Sequence, residues 1–143
     1  MTRASILSAA VLGAAVAASQ ASATDALPNL VPVSISRGWI DKVGHYIDVR
    51  VRNDGFADAP ATKVFVYGSR DRRLSPDDVR LAGHILIDSI PTGQQRERAM
   101  AGVKRTRYLI ACVDPTDRIH EMNEGDNCLA ARVARVNSRQ SRG

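Results

Sequence analysis

The chain has 143 residues, a formal net charge of +5 and only 4% aromatic residues. This length suits one domain of ordinary size. The low aromatic content argues against a surface that stacks bases, so nucleic-acid binding is not expected. The positive charge favours an anionic partner surface, such as acidic glycans or lipid headgroups, and the alternative is a solvated surface without an electrostatic partner.

The first 23 residues have the pattern of a cleavable signal peptide. Arg3 supplies a short positive region, residues 6–18 are apolar or small, and Ala21-Ser22-Ala23 fits the rule for signal peptidase. The apolar run is shorter than the roughly 20 residues that span a bilayer. We therefore expect an exported protein, periplasmic or extracellular, that begins near Thr24 and has no transmembrane segment; a buried N-terminal helix is the alternative.

A proline-containing lead-in at residues 27–32 precedes the first expected strand, an edge strand at residues 33–36. Residues 37–44 have glycines near both ends and are expected to form a loop that carries Trp39, the only tryptophan. An exposed tryptophan is a candidate contact for a partner. The alternative role for this side chain is a cap on the core.

The next two strands have the clearest patterns. In residues 46–52 apolar side chains alternate with polar and charged ones, which predicts a strand with one buried face. The Asn-Asp-Gly sequence at residues 53–55 ends this strand with turn-forming residues. Residues 62–67 are β-branched and aromatic with apolar side chains on both faces, which predicts a central strand.

Residues 68–78 are polar and are expected to form a solvated connection with a short helical turn near its end. Four more strands are expected, at residues 81–90, 94–101, 108–113 and 128–136, of which 94–101 is an edge strand. The spacing of Leu129, Val133 and Val136 also fits a helix, but a strand is favoured because it can return antiparallel beside the strand at 108–113. About seven antiparallel strands over roughly 100 residues indicate an all-β, immunoglobulin-like sandwich. We assign residues 24–136 to this domain and residues 137–143 to a flexible basic tail.

Cys112 and Cys128 are the only two cysteines, and export makes a disulfide between them the default. The antiparallel register that pairs them also pairs Ala111 with Leu129, Ile110 with Ala130 and Tyr108 with Arg132. Because the apolar partners match, this register is favoured. Metal-binding or catalytic thiols are the alternative, but no Cys-x-x-Cys or His-pair motif accompanies the cysteines.

Five carboxylates lie between the cysteines, with Asn123 among them: Asp114, Asp117, Glu121, Glu124 and Asp126. Their oxygen atoms are the kind of ligand that Ca²⁺ takes, roughly six to eight at a time. The spacing does not match an EF-hand. We favour the alternative, in which these side chains accept hydrogen bonds from nearby backbone amides and hold a long turn.

The segment from Tyr108 to Cys128 resembles the end of the CARDB family, the cell-adhesion-related domain found in bacteria. The resemblance rests on Tyr-Leu-Ile-Ala-Cys-Val-Asp at residues 108–114 and Ile-His-Glu-Met-Asn-Glu-Gly-Asp-Asn-Cys at residues 119–128. Upstream, residues 30–35, 49–55 and 90–93 are similar to the family's opening strand, second strand with its turn, and mid-domain turn. Asp126 departs from the family, which often has asparagine there.

The resemblance implies a fibronectin- or immunoglobulin-type sandwich in an extracellular setting, and it transfers no catalytic residue. The three histidines are scattered, and neither a Gly-x-Ser-x-Gly elbow nor a glycine-rich phosphate loop is present. We therefore do not expect an enzyme.

Two basic clusters remain, Arg70, Arg72 and Arg73 in one connection and Arg96, Arg98, Lys104, Arg105 and Arg107 further along. If the polar strand at residues 94–101 lies beside the strand that starts at Tyr108, then Arg96, Arg98 and Arg107 share a face. The alternative is dispersed, solvated charge.

We expect a non-enzymatic, exported binding or adhesion module that contacts an unidentified protein or an anionic glycan. The candidate contacts are Trp39, the Arg70–Arg73 connection and the loop from Asp114 to Asp126, and no cofactor is expected. The alternative function is a structural or Ca²⁺-stabilised accessory domain with no ligand of its own.

Overall fold

The computed structural model describes residues 25–40, 42, 44–102 and 105–133. The strands in these residues are β1 (Leu30–Ile40), β2 (Gly44–Asn53), β3 (Thr62–Ser69), β4 (Val79–Arg80), β5 (Ile85–Ile87), β6 (Gln95–Ala101), β7 (Tyr108–Val113) and β8 (Cys128–Arg132). A short 3-10 helix, Glu124–Asp126, precedes β8. The predicted signal peptide and basic tail lie outside the described residues.

The strands form two antiparallel sheets. One sheet has three strands in the order β1-β2-β6, and the other has five, with β4-β3-β7-β8 in order and β5 also paired with β3. This confirms the predicted all-β sandwich. No helix in the part of the chain that the structure describes is long and apolar enough to cross a membrane.

The core lies between the sheets and is built from alternate residues of the strands, as period-two patterns require. Its buried members include Ile47, Val49 and Val51 of β2, Val64 and Val66 of β3, and Leu109, Ala111 and Val113 of β7. The predictions for β2 and for a central β3 are therefore confirmed, since β3 has a neighbouring strand along each of its edges.

The loop predicted at residues 37–44 is wrong. β1 continues to Ile40, which pairs with Gly44 of β2, so Trp39 lies in a strand beside a hairpin turn. The nearby glycines serve this hairpin. A Cβ atom on Gly38 would collide with the ring of Tyr46, and Gly44 has φ of +99°, a conformation that glycine adopts without strain.

Three other local predictions change. The strand expected at residues 81–90 is limited to Ile85–Ile87, although Ile85 and Ile87 are buried as predicted. The expected helical turn near Ser75 is a single turn in which Asp78 N donates to Ser75 O at 3.1 Å. The polar strand β6 pairs with β2 and not with β7. Arg96 and Arg98 therefore lie in the three-stranded sheet, whereas Arg107 directly precedes β7 of the other sheet, and the predicted common face of these three arginines is wrong.

The register predicted across the cysteines is confirmed. Cys112 pairs with Cys128, and each predicted neighbouring pair of β7 and β8 is present. The two cysteines form a disulfide, and their Cα atoms are 4.1 Å apart. Both side chains point away from the inter-sheet core, because the alternate residues Ala111 and Leu129 face it.

Replacing both cysteines by alanine is expected to lower the free energy of unfolding by about 3 kcal/mol, because the disulfide closes a loop of about 15 residues in the unfolded chain. Urea unfolding of the exported protein and of the Cys112→Ala/Cys128→Ala variant measures the difference. The single variants are the controls, since each already breaks the bond and should lose nearly as much. Alkylation of either thiol in unreduced protein would contradict the disulfide.

Candidate functional site

The strand directions place the connections at two ends of the sandwich. One end, called the loop end, contains the N-terminal segment at residues 25–29 and the connections at residues 54–61, 88–94 and 114–127. At the other end, called the arginine end, lie the β1–β2 turn, the β3–β4 connection at residues 70–78, the β6–β7 connection and the end of β8. Two kinds of predicted site residue are thus separated along the length of the strands.

At the loop end, Asp114 begins the β7–β8 connection in a left-handed conformation with φ of +44°. Its buried carboxylate accepts hydrogen bonds from Ile119 N at 2.7 Å, from Arg118 N at 2.9 Å and from the Thr62 hydroxyl at 3.2 Å. Asp114 therefore holds the first part of the connection against β3. Asparagine and aspartate are the residues that tolerate such a conformation best apart from glycine.

Glu121 joins the same connection to the other sheet. Its side chain is 4% exposed, and Oε2 accepts a hydrogen bond from the backbone N–H of Leu30, the first residue of β1. Oε1 accepts from Asn127 Nδ2 at 3.1 Å. One buried carboxyl group thus links β1 to both halves of the β7–β8 connection.

Burial raises the pKa of Glu121 from an ordinary value of 4.5 to about 7. The hydrogen bonds from Leu30 N–H and from Asn127 lower this pKa, because they stabilise the charged carboxylate. The negative charges of Glu124 and Asp114 raise it further. The removal from water outweighs the two hydrogen bonds, because a carboxylate loses more solvation than two donors return.

The remaining carboxylates also serve the connection. Glu124 Oε1 accepts from Glu121 N at 2.8 Å, and Asp126 Oδ2 accepts from Asn29 Nδ2 at 3.1 Å. Asp117 is exposed. Most of the acidic side chains are therefore acceptors for the loop itself, as the favoured interpretation requires, and no three His, Cys, Asp or Glu residues in the described ranges form a group that could hold a metal.

Two asparagines of this end were not singled out from the sequence. Asn53 is fully buried, accepts from Asn29 N and Gly55 N at 3.0 Å each, and donates to Ala57 O at 2.8 Å and Ile90 O at 2.9 Å. Asn29 Oδ1 accepts from Asn123 N at 3.0 Å. The Asn-Asp-Gly turn motif marks the position of Asn53, but its partners come from distant parts of the chain.

At the arginine end, six exposed arginines project from three parts of the chain: Arg70, Arg72 and Arg73 before β4, Arg105 and Arg107 before β7, and Arg132 at the end of β8. Among the described residues none of the six forms a salt bridge. The guanidinium group of Arg72 lies 5.7 Å from the centre of the Tyr108 ring. Lys104, the other basic residue of the second predicted cluster, lies outside the described residues.

Three arginines of the three-stranded sheet are different. Arg50 binds Glu97 at 2.6 Å, Arg52 binds Asp54 and Arg98 binds Asp88. Each of these three positive charges is therefore paired with a carboxylate, whereas the six arginines of the arginine end form no ion pair with a described one.

Trp39 also lies at the arginine end, and it is 52% exposed. It pairs with His45 across the hairpin, and the two rings meet edge to face with centroids 4.8 Å apart. The structure thus brings the predicted contacts Trp39, Arg70, Arg72 and Arg73 to one end of the sandwich. The predicted contact loop, residues 114–126, lies at the opposite end and does not belong to the same surface.

The raised pKa of Glu121 predicts a stability that falls as pH rises. The carboxyl is protonated more readily in the folded chain than in the unfolded one, so its contribution is complete below pH 4.5 and is lost as pH rises to about 7. The loss is at most about 3 kcal/mol. Glu121→Gln imitates the protonated form, and we expect it to remove this slope in urea unfolding from pH 4.5 to 8.

The matched control is Asp117→Asn, which makes the same change of charge at an exposed position of the same connection. This variant should keep the slope of the wild type. A Glu121→Gln variant with the wild-type slope would show that Glu121 is not the titrating group.

The comparisons with known proteins agree with this architecture. A crystal structure of the CARDB domain of the PF1109 protein from Pyrococcus furiosus, in complex with di-metal ions, has a TM-score of 0.52 and 20% identity over 76% of this chain and 90% of that one. A solution NMR structure of the same domain has a TM-score of 0.51 and 20% identity over 76% of this chain and 97% of that one. At this identity the likeness shows the fold alone. No curated protein matches the chain.

The family model named CARDB matches residues 27–131, which include β1 to β7 and all of β8 except its last residue, Arg132. This match covers more than half of the sequence and ends just inside β8. The chain therefore belongs to the CARDB family, an adhesion-related and non-catalytic domain family.

Proposed function

We propose that this chain is a non-enzymatic, exported binding or adhesion module that contacts an anionic partner, a protein or a glycan, at the cell surface or in the periplasm. The contact surface in this proposal is the arginine end, with Arg70, Arg72 and Arg73 at its centre and Trp39 beside them. The CARDB assignment supports the adhesion class, and the signal-peptide pattern of residues 1–23 supports export.

One observation carries the proposal: the six arginines of the arginine end form no salt bridge with a described carboxylate, while Arg50, Arg52 and Arg98 of the three-stranded sheet each form one. Arginine presents planar, fork-shaped donors that suit carboxylate, sulfate and phosphate groups. The six positively charged guanidinium groups on this surface repel one another. Binding of an anionic partner would lower this electrostatic repulsion.

The geometry also explains why this end suits a partner. The β6–β7 connection is tied to the end of β3 through Thr106, whose hydroxyl donates to Ser69 O at 3.0 Å. Arg72 stacks on Tyr108 of the neighbouring strand. The arginines are therefore presented on connections that are tied to the sheet, which lowers the entropy lost on binding.

The variant Arg70→Gln/Arg73→Gln/Arg107→Gln tests this proposal, and it spares Arg72 because that side chain packs on Tyr108. With polygalacturonate as the anionic probe, we expect the dissociation constant to rise at least about tenfold, since each lost charged hydrogen bond is worth on the order of 1.5 kcal/mol. Isothermal titration calorimetry at low salt measures the change.

The control variant, Arg50→Gln/Arg52→Gln/Arg98→Gln, lowers the net charge by the same amount on the three-stranded sheet. Exposed ion pairs contribute little to stability, so this variant should remain folded. It is expected to bind polygalacturonate within about twofold of the wild type. Equal losses in the two variants would mean that overall charge, and not the arginine end, governs binding.

A Ca²⁺-stabilised accessory domain is the second candidate function, and one feature of the loop end favours it. Asp126 Oδ1 and Asn127 Oδ1 are buried oxygen atoms without a hydrogen-bond donor among the described residues. Oxygen atoms of this kind are the ligands that Ca²⁺ takes. The related domain from Pyrococcus furiosus was crystallised with di-metal ions.

This second candidate predicts that Ca²⁺ at about 100 times its dissociation constant stabilises the domain by about 2.7 kcal/mol, because only the folded chain offers the site. Thermal melting in calcium and in chelator measures the effect. Asp126→Asn should remove it, and Asp77→Asn, which changes an exposed carboxylate at the arginine end, should not. Identical melting curves of the wild type in the two conditions would reject this candidate.

A further inference from the structure

We propose that the arginine end docks on an anionic lipid surface, with Trp39 and Ile40 in the headgroup layer and the surrounding arginines on lipid phosphates. This inference rests on the part of the proposed function that makes the arginine end a contact surface for anionic groups, and it assigns a lipid layer to that surface in addition to the protein or glycan proposed above. It goes beyond that function in giving the apolar tip of the β1–β2 hairpin a role.

The tip of this hairpin presents two large apolar side chains to solvent. Trp39 is 52% exposed and Ile40 is 49% exposed. As consecutive residues of a strand they point to opposite faces, so the end of β1 is apolar on both sides. Such a tip buries both side chains when it enters a layer that surrounds it, and it buries only one when it lies flat on a partner.

The indole is held in place by its neighbours. Trp39 pairs with His45 and lies on the face of the sheet that carries Ile47, beyond the last layer of the core. That face is directed toward the five-stranded sheet, whose arginine-bearing connections lie at the same end. The edge-to-face contact with His45 limits the motion of the ring. Tryptophan is also the residue that favours the boundary between lipid headgroups and acyl chains.

The charges around this tip complement an anionic lipid layer. Lys42 lies in the turn that follows Ile40. The six arginines of the arginine end lie in the other two connections of this end and at the end of β8. The described carboxylates of this end are Asp71, Asp77 and Asp78; Asp71 and Asp78 already accept backbone hydrogen bonds, from Arg73 and Ser75 respectively. Positive charge beside exposed apolar side chains is the combination by which peripheral proteins bind anionic membranes.

A soluble polyanion does not account for both features. Its anionic groups satisfy the arginines, but Ile40 remains exposed to water. A protein partner would need an apolar pocket within an acidic surface. An anionic bilayer offers phosphate groups and an apolar interior at adjacent depths, so a single approach satisfies the arginines, Trp39 and Ile40 together.

The test uses the exported chain with vesicles of phosphatidylcholine that contain phosphatidylglycerol, and with vesicles of phosphatidylcholine alone. Trp39 is the only tryptophan, so its fluorescence reports directly on the tip. We expect co-sedimentation with the anionic vesicles, a blue shift of the emission, and loss of binding at high salt. Equal binding to both kinds of vesicle, or binding without a blue shift, would overturn the inference.

The variants separate this inference from the proposed function. Ile40→Ser should weaken vesicle binding about tenfold and leave polygalacturonate binding unchanged. Phe56→Ser, which changes a side chain that is 74% exposed at the loop end, should alter neither. If Ile40→Ser binds vesicles like the wild type, the lipid inference fails and the proposed function stands. If Arg70→Gln/Arg73→Gln/Arg107→Gln binds polygalacturonate like the wild type, both fail.

Discussion

The hydrogen bond from Leu30 N–H to the buried carboxyl of Glu121 joins the two sheets of the sandwich at the loop end. Among the described strands the sheets share no backbone ladder, so elsewhere they are held together mainly by apolar packing. Loss of the Glu121 acceptor would leave a buried N–H without a partner, which costs about 1–3 kcal/mol. The start of β1, the β7–β8 connection and the position of Asn29 all depend on this junction.

This junction explains the dense carboxylates between the cysteines without assigning them to a ligand. Asp114 holds the first turn of the connection, Glu121 joins it to β1, and Glu124 and Asp126 bond amide groups of the same region. Repulsion between these carboxylates raises the pKa of Glu121 further. A connection of this length has few apolar side chains to pack, so polar contacts must fix its conformation.

The opposite end of the sandwich has the reverse organisation. Its arginines have no salt bridges to described carboxylates and take little part in holding the fold, apart from Arg72 on Tyr108. A charged surface that contributes so little to folding is available for binding. The sandwich therefore separates the polar groups that stabilise it from those that can contact a partner, and the strands set the distance between them.

Features that depend on neighbouring residues were predictable from the sequence. Alternation in β2 and β3 indicated their buried faces, and the match of apolar residues around Cys112 and Cys128 determined the register of β7 and β8, because a slip by one residue would turn every side chain to the other face. The motifs of residues 108–128 identified the family. Features that depend on long-range pairing were decided only by the tertiary structure. β6 joined β2 and not β7, and Trp39 lay in a strand because β2 continued opposite it. The pairing of Asn53 with Asn29 and the gathering of Arg70, Arg107 and Arg132 at one end likewise followed from the strand order, which no local pattern encodes.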